Sequence, residues 1–490
     1  MWCSLKALRT LVPTLGLILL GVVRLPAQTT TASPAPITLP GQQTPYLGSA
    51  PEGKASNEVL QLDFKEAIDR GLRNNLGILL AGDQTETARG ERWKELSDLL
   101  PNLSAHVIED AQTQSLAALG FNKLAPFFGG GSGSGGAAFP RVIPAFNYFD
   151  ARVSLGQSLF NYKSLERTRA ATENVKVSQL NFKDARETVV LAVGNSYLQA
   201  IAAGARVETA EAQVANAQAL SDKAADQLKA GLAPSIDALR ARVELQAREQ
   251  QLIAARNDLA KQKLSLARVI GLPPGQEFVL TEKAPYQELT PLPVDVYLQR
   301  AYASRSDYQS AEAQVHSAEL FKRGAAAGRY PSLEVNANLG DIGVTPSRSN
   351  GTWQVTGGLN IPIFAGNKVH SDVLEADSDL KQARSRLADL RGRIDYEVRT
   401  ALLDLTAAAE QVEVARSSVD LAEQALTQSK DRFAAGVTDN LEVVQAQEAL
   451  AGAHESYIES LYAHNLSKIE LARAIGDAEE GVKRYLKGHP

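Results

Sequence analysis

The side chains in this chain that could do chemistry are sparse and scattered. Its six histidines, His106, His316, His370, His454, His464 and His489, show no ligand-type spacing, whereas a helical metal site needs a pair one turn apart. The single cysteine, Cys3, lies ahead of an apolar run from Leu11 to Val23. Beyond that run there is no thiol for a disulfide, a nucleophile or a metal site. No Gly-rich phosphate loop and no nucleophile elbow is present. These residues predict a protein that is not an enzyme and that uses no cofactor and no metal. Two acids stand out instead. Asp237 and Glu442 each follow a glycine by six residues, where a helix should begin, and a carboxylate there is favoured by the helix dipole.

Both acids sit in a passage that occurs twice. Gly231-Leu232-Ala233-Pro234-Ser235-Ile236-Asp237 leads to Leu266-Ala267-Arg268-Val269-Ile270-Gly271, and Gly436-Val437-Thr438-Asp439-Asn440-Leu441-Glu442 leads to Leu471-Ala472-Arg473-Ala474-Ile475-Gly476. The opening glycines lie 205 positions apart and so do the closing ones, so nothing has been gained or lost between them. A unit this long reads as duplication of half a protein rather than as a solenoid repeat.

The elements that position these turns are long helices. Apolar or small residues recur in steps of three and four at Leu387, Leu390, Ile394, Val398, Ala401, Leu405, Ala408, Val412, Ala415, Val419, Ala422 and Leu426, a heptad-like seam. No proline falls between Lys368 and Gly436, nor between Lys163 and Gly231. Long helices are expected over 163–230 and 368–435 and return helices over 235–271 and 440–476. At 1.5 Å per residue each long helix spans roughly 100 Å. Medium helices are expected over 63–100 and 294–329, each beside part of a long one.

Between the medium and long helices lie strand signals over about 102–110, 148–160, 332–341 and 352–364. Val153 and Leu155, Leu333 and Val335, and Trp353, Val355 and Leu359 alternate with polar neighbours. Period-two alternation over about ten residues is the signature of a transmembrane β-strand. Pro101 and Pro331 lie 230 positions apart, against 205 for Lys163 and Lys368, so the first half carries 25 extra residues in its strand loop. They fall in the Gly- and Phe-rich stretch from Phe121 to Phe146, expected outside the cell because outer loops are the longer ones.

Residues 1–27 have the order of a secretory signal peptide, with cleavage after Ala27. Residues 28–57, rich in Thr, Pro, Gly and Ser, are expected to be a flexible lead-in. No later stretch is expected to supply the roughly 20 apolar residues of a spanning helix. The remaining divisions are repeat 1 over 58–274, an equatorial linker over 275–292, repeat 2 over 293–478 and a tail over 479–490. The formal charge of −5 with scattered basic residues argues against nucleic acid as a partner. Four strands cannot close on themselves, since the smallest membrane barrels have eight. The chain must then oligomerise, giving eight strands from two copies or twelve from three. A secreted coiled-coil scaffold without a pore would explain the helices equally well, though not the paired strands.

The order of these features resembles the TolC-like outer-membrane factors of tripartite efflux pumps and type I secretion systems. The likeness rests on Leu62-Asp63-Phe64-Lys65-Glu66-Ala67-Ile68 with Asn74-Asn75, Leu100-Pro101-Asn102-Leu103, Tyr330-Pro331-Ser332-Leu333 and the two Gly-led tips. It implies an α+β fold: a membrane β-barrel of four strands per chain and twelve per homotrimer, continued by a long periplasmic α-helical barrel with two structural repeats per chain. It implies passive export of small molecules or proteins through the outer membrane of a Gram-negative-type bacterium. Partners are then outer-membrane lipid, a periplasmic membrane-fusion adaptor and an inner-membrane transporter, docking at the tips through Gly231, Leu232, Ser235, Gly436, Val437 and Asn440. The resemblance also places a periplasmic gate at Asp237 and Glu442, with Thr438 where an arginine partner can occur and Gln445 where a second acid can occur. A threonine makes no salt bridge, so closure would need other contacts.

Overall fold

The computed structural model describes residues 45–51, 53–115, 118, 142–231, 234–282, 286–289, 292–438 and 440–486. The elements in chain order are β1 (Leu60–Leu62), α1 (Phe64–Asn74), α2 (Leu76–Ser97), β2 (Asn102–Ser115), β3 (Val142–Phe160), α3 (Tyr162–Lys229), α4 (Ser235–Ile270), β4 (Phe278–Leu280), α5 (Val294–Ser304), α6 (Ser306–Ala326), β5 (Ser332–Gly343), β6 (Ser349–Asn360), α7 (Lys368–Ala434), α8 (Asn440–Ala474) and α9 (Ala478–Leu486). The long helices run 68 and 67 residues. At the start of α3 the Asn161 side chain accepts from the Ser164 N–H at 3.2 Å, which answers one of the unpaired donors of the first turn.

Helix α3 is packed on α2 and α6 along one part of its length and on α4 and α8 along the other, and α7 runs beside α6 and α8. One window of α3 has a mean hydropathy of 1.3, enough by composition to cross a membrane, which corrects the expectation that no later stretch comes close. That window is 61% buried, so its apolarity is explained by the neighbours it packs against. The main core gathers where the short and long helices meet, around Val189, Val193, Tyr197, Ile270, Ile394, Val398, Leu405, Ile469 and Leu471. A smaller cluster, Leu220, Ala224, Ala241, Leu426, Phe433 and Val443, lies near the tips. Along α7 the buried positions Leu390, Ile394, Val398, Ala401, Leu405, Ala408, Val412 and Ala415 follow the three-four spacing of the seam.

Several expectations are corrected. Each medium helix is two helices, broken at Asn75 and at Arg305, where the backbone turns extended with ψ of 132° and 120°. The lead-in reaches the fold before residue 58: Ala50 donates to the Asn74 carbonyl at 2.9 Å and Ser49 bridges to Asn75. The linker contains β4, which pairs in parallel with β1 through Leu60↔Phe278 and Leu62↔Leu280. The stretch read as a tail holds α9, seated through buried Ala478 and Val482.

The first strand pair is longer than expected because its ladder continues to Ser115↔Val142 past an irregularity beside Gln112 and Gln114. Pro144, which has no N–H for a ladder bond, lies opposite that irregularity. The last strand ends at Asn360 rather than 364; Pro362 lies just beyond, and Ile363 and Phe364 are exposed. The Gly129–Gly136 run with Phe121, Phe127, Phe128 and Phe139 lies outside the described residues, as do 1–44.

Candidate functional site

The four long strands form one antiparallel sheet in the order β2-β3-β5-β6. Directly opposed residues share a face, so the register sorts side chains by side. One row reads Leu103, Leu155, Ala337, Val355 and the next Ala105, Val153, Leu339, Trp353. Leu333 opposes Leu359, with Val335 on the same face two residues on. All seven strand residues singled out by alternation therefore lie on one apolar face. That face is bare within the chain: Leu103, Trp353 and Leu359 are 71%, 75% and 62% exposed.

The opposite face is polar. It carries the rows Ser104, Ser154, Asn338, Gln354 and His106, Arg152, Gly340, Thr352. Arg152 Nε donates to Asp150 Oδ1 at 2.7 Å, and Tyr148 donates to the same carboxylate at 3.2 Å. Gly340 is required beside Arg152, because a Cβ there would lie 2.2 Å from the Ala151 carbonyl oxygen. The sheet therefore has a lipid-like side, a water-like side, and two edges, on β2 and β6, that no strand among the described residues pairs.

At the other end of the long helices both turns are built on left-handed glycines, Gly231 at φ 70° and Gly436 at φ 71°. After α7, Gly436 N–H donates to the Phe433 carbonyl at 3.1 Å and Val437 N–H to the Arg432 carbonyl at 3.0 Å. Those two bonds answer the helix's last free carbonyls. Ser235, Gly231, Gly436 and Val437 are exposed, and Leu232 lies outside the described residues. The first return helix does not use the side-chain cap its sequence offers. Pro234 is the N-cap of α4 and makes no side-chain bond, and Ser235 is already helical. Asn440 is fully buried, and its Nδ2 donates 3.2 Å across to the Asp237 carbonyl oxygen, tying the two return helices together.

The four expected gate residues separate into different settings. Asp237 is 7% exposed, with Arg240 Nη1 3.6 Å from its carboxylate. The Thr438 hydroxyl donates to Glu442 Oε2, and Arg432 Nη1 lies 3.6 Å from Glu442 Oε1. An arginine thus reaches Glu442 from the last turn of α7, within the same helix pair, while position 438, where the resemblance allows an arginine partner, holds threonine. Gln445 is exposed, one turn beyond Glu442 on α8. Sequence reasoning missed a buried ion pair higher on α4, where Arg248 Nε donates to Glu244 Oε1 at 2.6 Å with both side chains at most 10% exposed. It has no counterpart in the second half, where positions 449 and 453 are alanine.

Also missed were the residues at the helix breaks. Asn75 Nδ2 donates to the carbonyls of Tyr46 at 2.7 Å and Val269 at 3.3 Å, and its Oδ1 caps α2 at the Gly77 N–H. Arg305 donates to Ala474 O at 3.1 Å, to Glu397 Oε2 at 2.6 Å and to both oxygens of Asp307. Burial alone would raise the Asp307 carboxyl, but the Arg305 guanidinium outweighs it and holds the group below the usual carboxylate range. Asp184, bonded by Arg473, is pushed up by burial. One signal could have found the pair: Asn75 and Arg305 are 230 positions apart, the same offset as Pro101 and Pro331.

Comparison with known proteins agrees with this layout. The family described as outer membrane efflux protein matches residues 143–272 and 297–477, leaving the linker between the two matched segments. The alkaline protease secretion protein AprF of Pseudomonas aeruginosa is 22% identical over 330 residues, covering 65% of this chain and 67% of that protein. The probable efflux pump outer membrane protein TtgC of Pseudomonas putida is 24% identical over 336 residues, covering 66% and 68%. Among solved structures, the Campylobacter jejuni CmeC outer membrane channel superposes with a TM-score of 0.70 at 17% identity, over 92% of this chain and 98% of that one. The open state of the Neisseria gonorrhoeae MtrE outer membrane channel gives 0.70 at 16% identity, over 92% and 99%. The chain belongs to the outer membrane efflux protein family, whose members are transport channels of the outer membrane.

Proposed function

We propose that this chain is one third of a trimeric channel-tunnel, the exit duct of a tripartite efflux pump or a type I secretion system. The observation that carries the reading is the sheet: four strands, an exposed apolar face, and unpaired edges on β2 and β6. In hydrocarbon every unpaired backbone group costs several kcal/mol, so such a sheet enters lipid only when both edges are closed. Three copies joined β6 to β2 give a twelve-stranded barrel and leave no edge.

The helices support the same closure. Ile236, Leu239, Val243, Ile253 and Leu264 of α4 are bare, and so are Tyr396, Leu403, Val414 and Leu421 of α7. These two helices flank the packed set, so copies arranged in a ring would bury one seam against the other. Transport through the duct is passive, and the adaptor and inner-membrane transporter that dock at the tips supply energy and choose the cargo. AprF is named for protease secretion and TtgC for an efflux pump, and either class of cargo suits the reading.

The test is extraction followed by reconstitution. The protein is expected in the outer-membrane fraction, with a detergent-stable mass three times that of one chain, and conducting in planar bilayers. A soluble, non-conducting periplasmic protein would overturn the channel in favour of a coiled-coil scaffold.

A further inference from the structure

The linker between the two halves is held by lysines at equivalent places in the two return helices. Lys263 of α4 donates Nζ to the Phe278 carbonyl at 3.4 Å and stands 5.8 Å from the Phe278 ring centre. Lys468 of α8, 205 positions later, donates to the Gln287 carbonyl. The first lysine is half-buried and the second is fully buried. His464, one turn before Lys468, places Nε2 3.3 Å from the same Gln287 oxygen, and its ring is 5.3 Å from that of Tyr286.

A carbonyl oxygen only accepts, so the bond to Gln287 fixes the proton on Nε2 and leaves Nδ1 as a bare lone pair. Nδ1 is buried and has no partner among the described residues. No carboxylate pairs with Lys468 among the described residues, and burial pushes its ammonium down to about 8. Burial and then the Lys468 charge push the His464 imidazolium down, against the Gln287 carbonyl and Glu288. Glu413, Arg416 and Tyr457 are the further titratable or charged groups felt at Tyr286.

We propose that Tyr286–Leu289, His464 and Lys468 form an acid-released clasp: protonating His464 sets a second cation beside Lys468 and a proton on Nδ1 that no described residue accepts, and Tyr286–Leu289 loosens from α8. The sign follows from the direction of both shifts. A basic group held below its ordinary pKa in the folded state is protonated more readily once released, so the hold weakens as pH falls. Lys468 contributes above about pH 8, and His464 below its ordinary value of about 6.5. The first half has Leu259 at the position of His464, so the Lys263 contact should not respond.

Hydrogen–deuterium exchange of the full chain in detergent, at about pH 7.5 and about pH 5.5 with times scaled for intrinsic rates, reads the clasp directly. Protection of Tyr286–Leu289 is expected to fall at the lower pH by about twofold or more, since the released imidazole takes up the proton more readily. Protection around Phe278 should stay level. His464→Leu, which installs the first-half residue, should abolish the drop. If that variant misfolds, His464→Gln keeps a donor that cannot take a second proton and should give the same result. Equal wild-type protection at the two pH values, or a drop that survives either substitution, overturns the clasp. The outcome does not depend on whether the protein conducts.

Discussion

The two helix breaks perform one backbone task with opposite chemistry. At Asn75 and at Arg305 a medium helix stops, turns extended and starts again, with φ of −67° and −61°. Each side chain then reaches the last turn of its own return helix, at Val269 and Ala474, which are 205 positions apart. Asn75 completes the job with neutral bonds to three backbone groups. Arg305 brings a charge into a site where it is 2% exposed, and that charge in turn requires Asp307 and Glu397. Duplication has kept the geometry while letting the side chains diverge, and the halves should therefore fail differently.

The largest difference should come from removing the side chains themselves. Arg305→Leu takes from partly buried Asp307 its paired cation and leaves Glu397 only Arg393 at 3.8 Å, a class of change that costs about 3–5 kcal/mol. Asn75→Ala removes a cap and two neutral hydrogen bonds, for about 2 kcal/mol. Denaturant midpoints of the two variants in detergent give the ranking. Equal losses would mean that Asp307 and Glu397 find other partners and that the comparison has been drawn too sharply.

Glycines sharpen the contrast along the length of the helices. Gly231, Gly271, Gly436 and Gly476 all sit at φ between 70° and 74°. A Cβ at Gly476 would come within 2.8 Å of the Arg305 backbone, and one at Gly271 within 2.4 Å of Asn74 Cβ, whereas at Gly231 and Gly436 it would meet nothing. Gly476→Ala and Gly271→Ala should therefore cost about 3 kcal/mol, strain plus collision, and the tip substitutions only the strain of about 1 kcal/mol. Melting temperatures of the four alanine variants should fall into two groups.

Acid offers a third way to part the halves. Asp307 is held below its ordinary pKa, so the stability it contributes is complete above that value and is lost as pH falls below about 4. Asn75 has nothing to titrate. Below about pH 4, exchange protection at Ala474 should decline before that at Val269; simultaneous decline would place the acid sensitivity elsewhere.

Why the breaks were hidden while the seam and strands were legible is a matter of range. The alternation of Val153 with Leu155, or of Trp353 with Val355, is local, and so is the three-four spacing of Ile394, Val398 and Ala401. The break at Arg305 depends on Glu397 and Ala474, and that at Asn75 on Tyr46 and Val269, none of them near in sequence. The three-residue strands β1 and β4 are too short to show any period. Asn440 reads as a helix cap from its neighbours, yet its partner is the Asp237 carbonyl, 203 residues away. The tip acids were legible as acids at helix starts, but not the Arg432 that stands beside one of them.

That arginine makes the smallest of the expected differences and the most informative about the tips. Glu442 has a cation and a hydroxyl from its own helix pair, with its side chain 35% exposed, while Asp237 has Arg240 on its own helix and a side chain 10% exposed. If the tips line the inner mouth of a pore, Glu442→Gln removes a charge that Arg432 already faces, and cation preference in bilayers should weaken by no more than about fivefold, since exposed pairs are worth less than about 1 kcal/mol. Removing Arg432 as Arg432→Gln should move selectivity the opposite way, by freeing the carboxylate. Unchanged selectivity and conductance in both variants would take Glu442 out of the pore and leave it as an acid that only favours the first turn of α8.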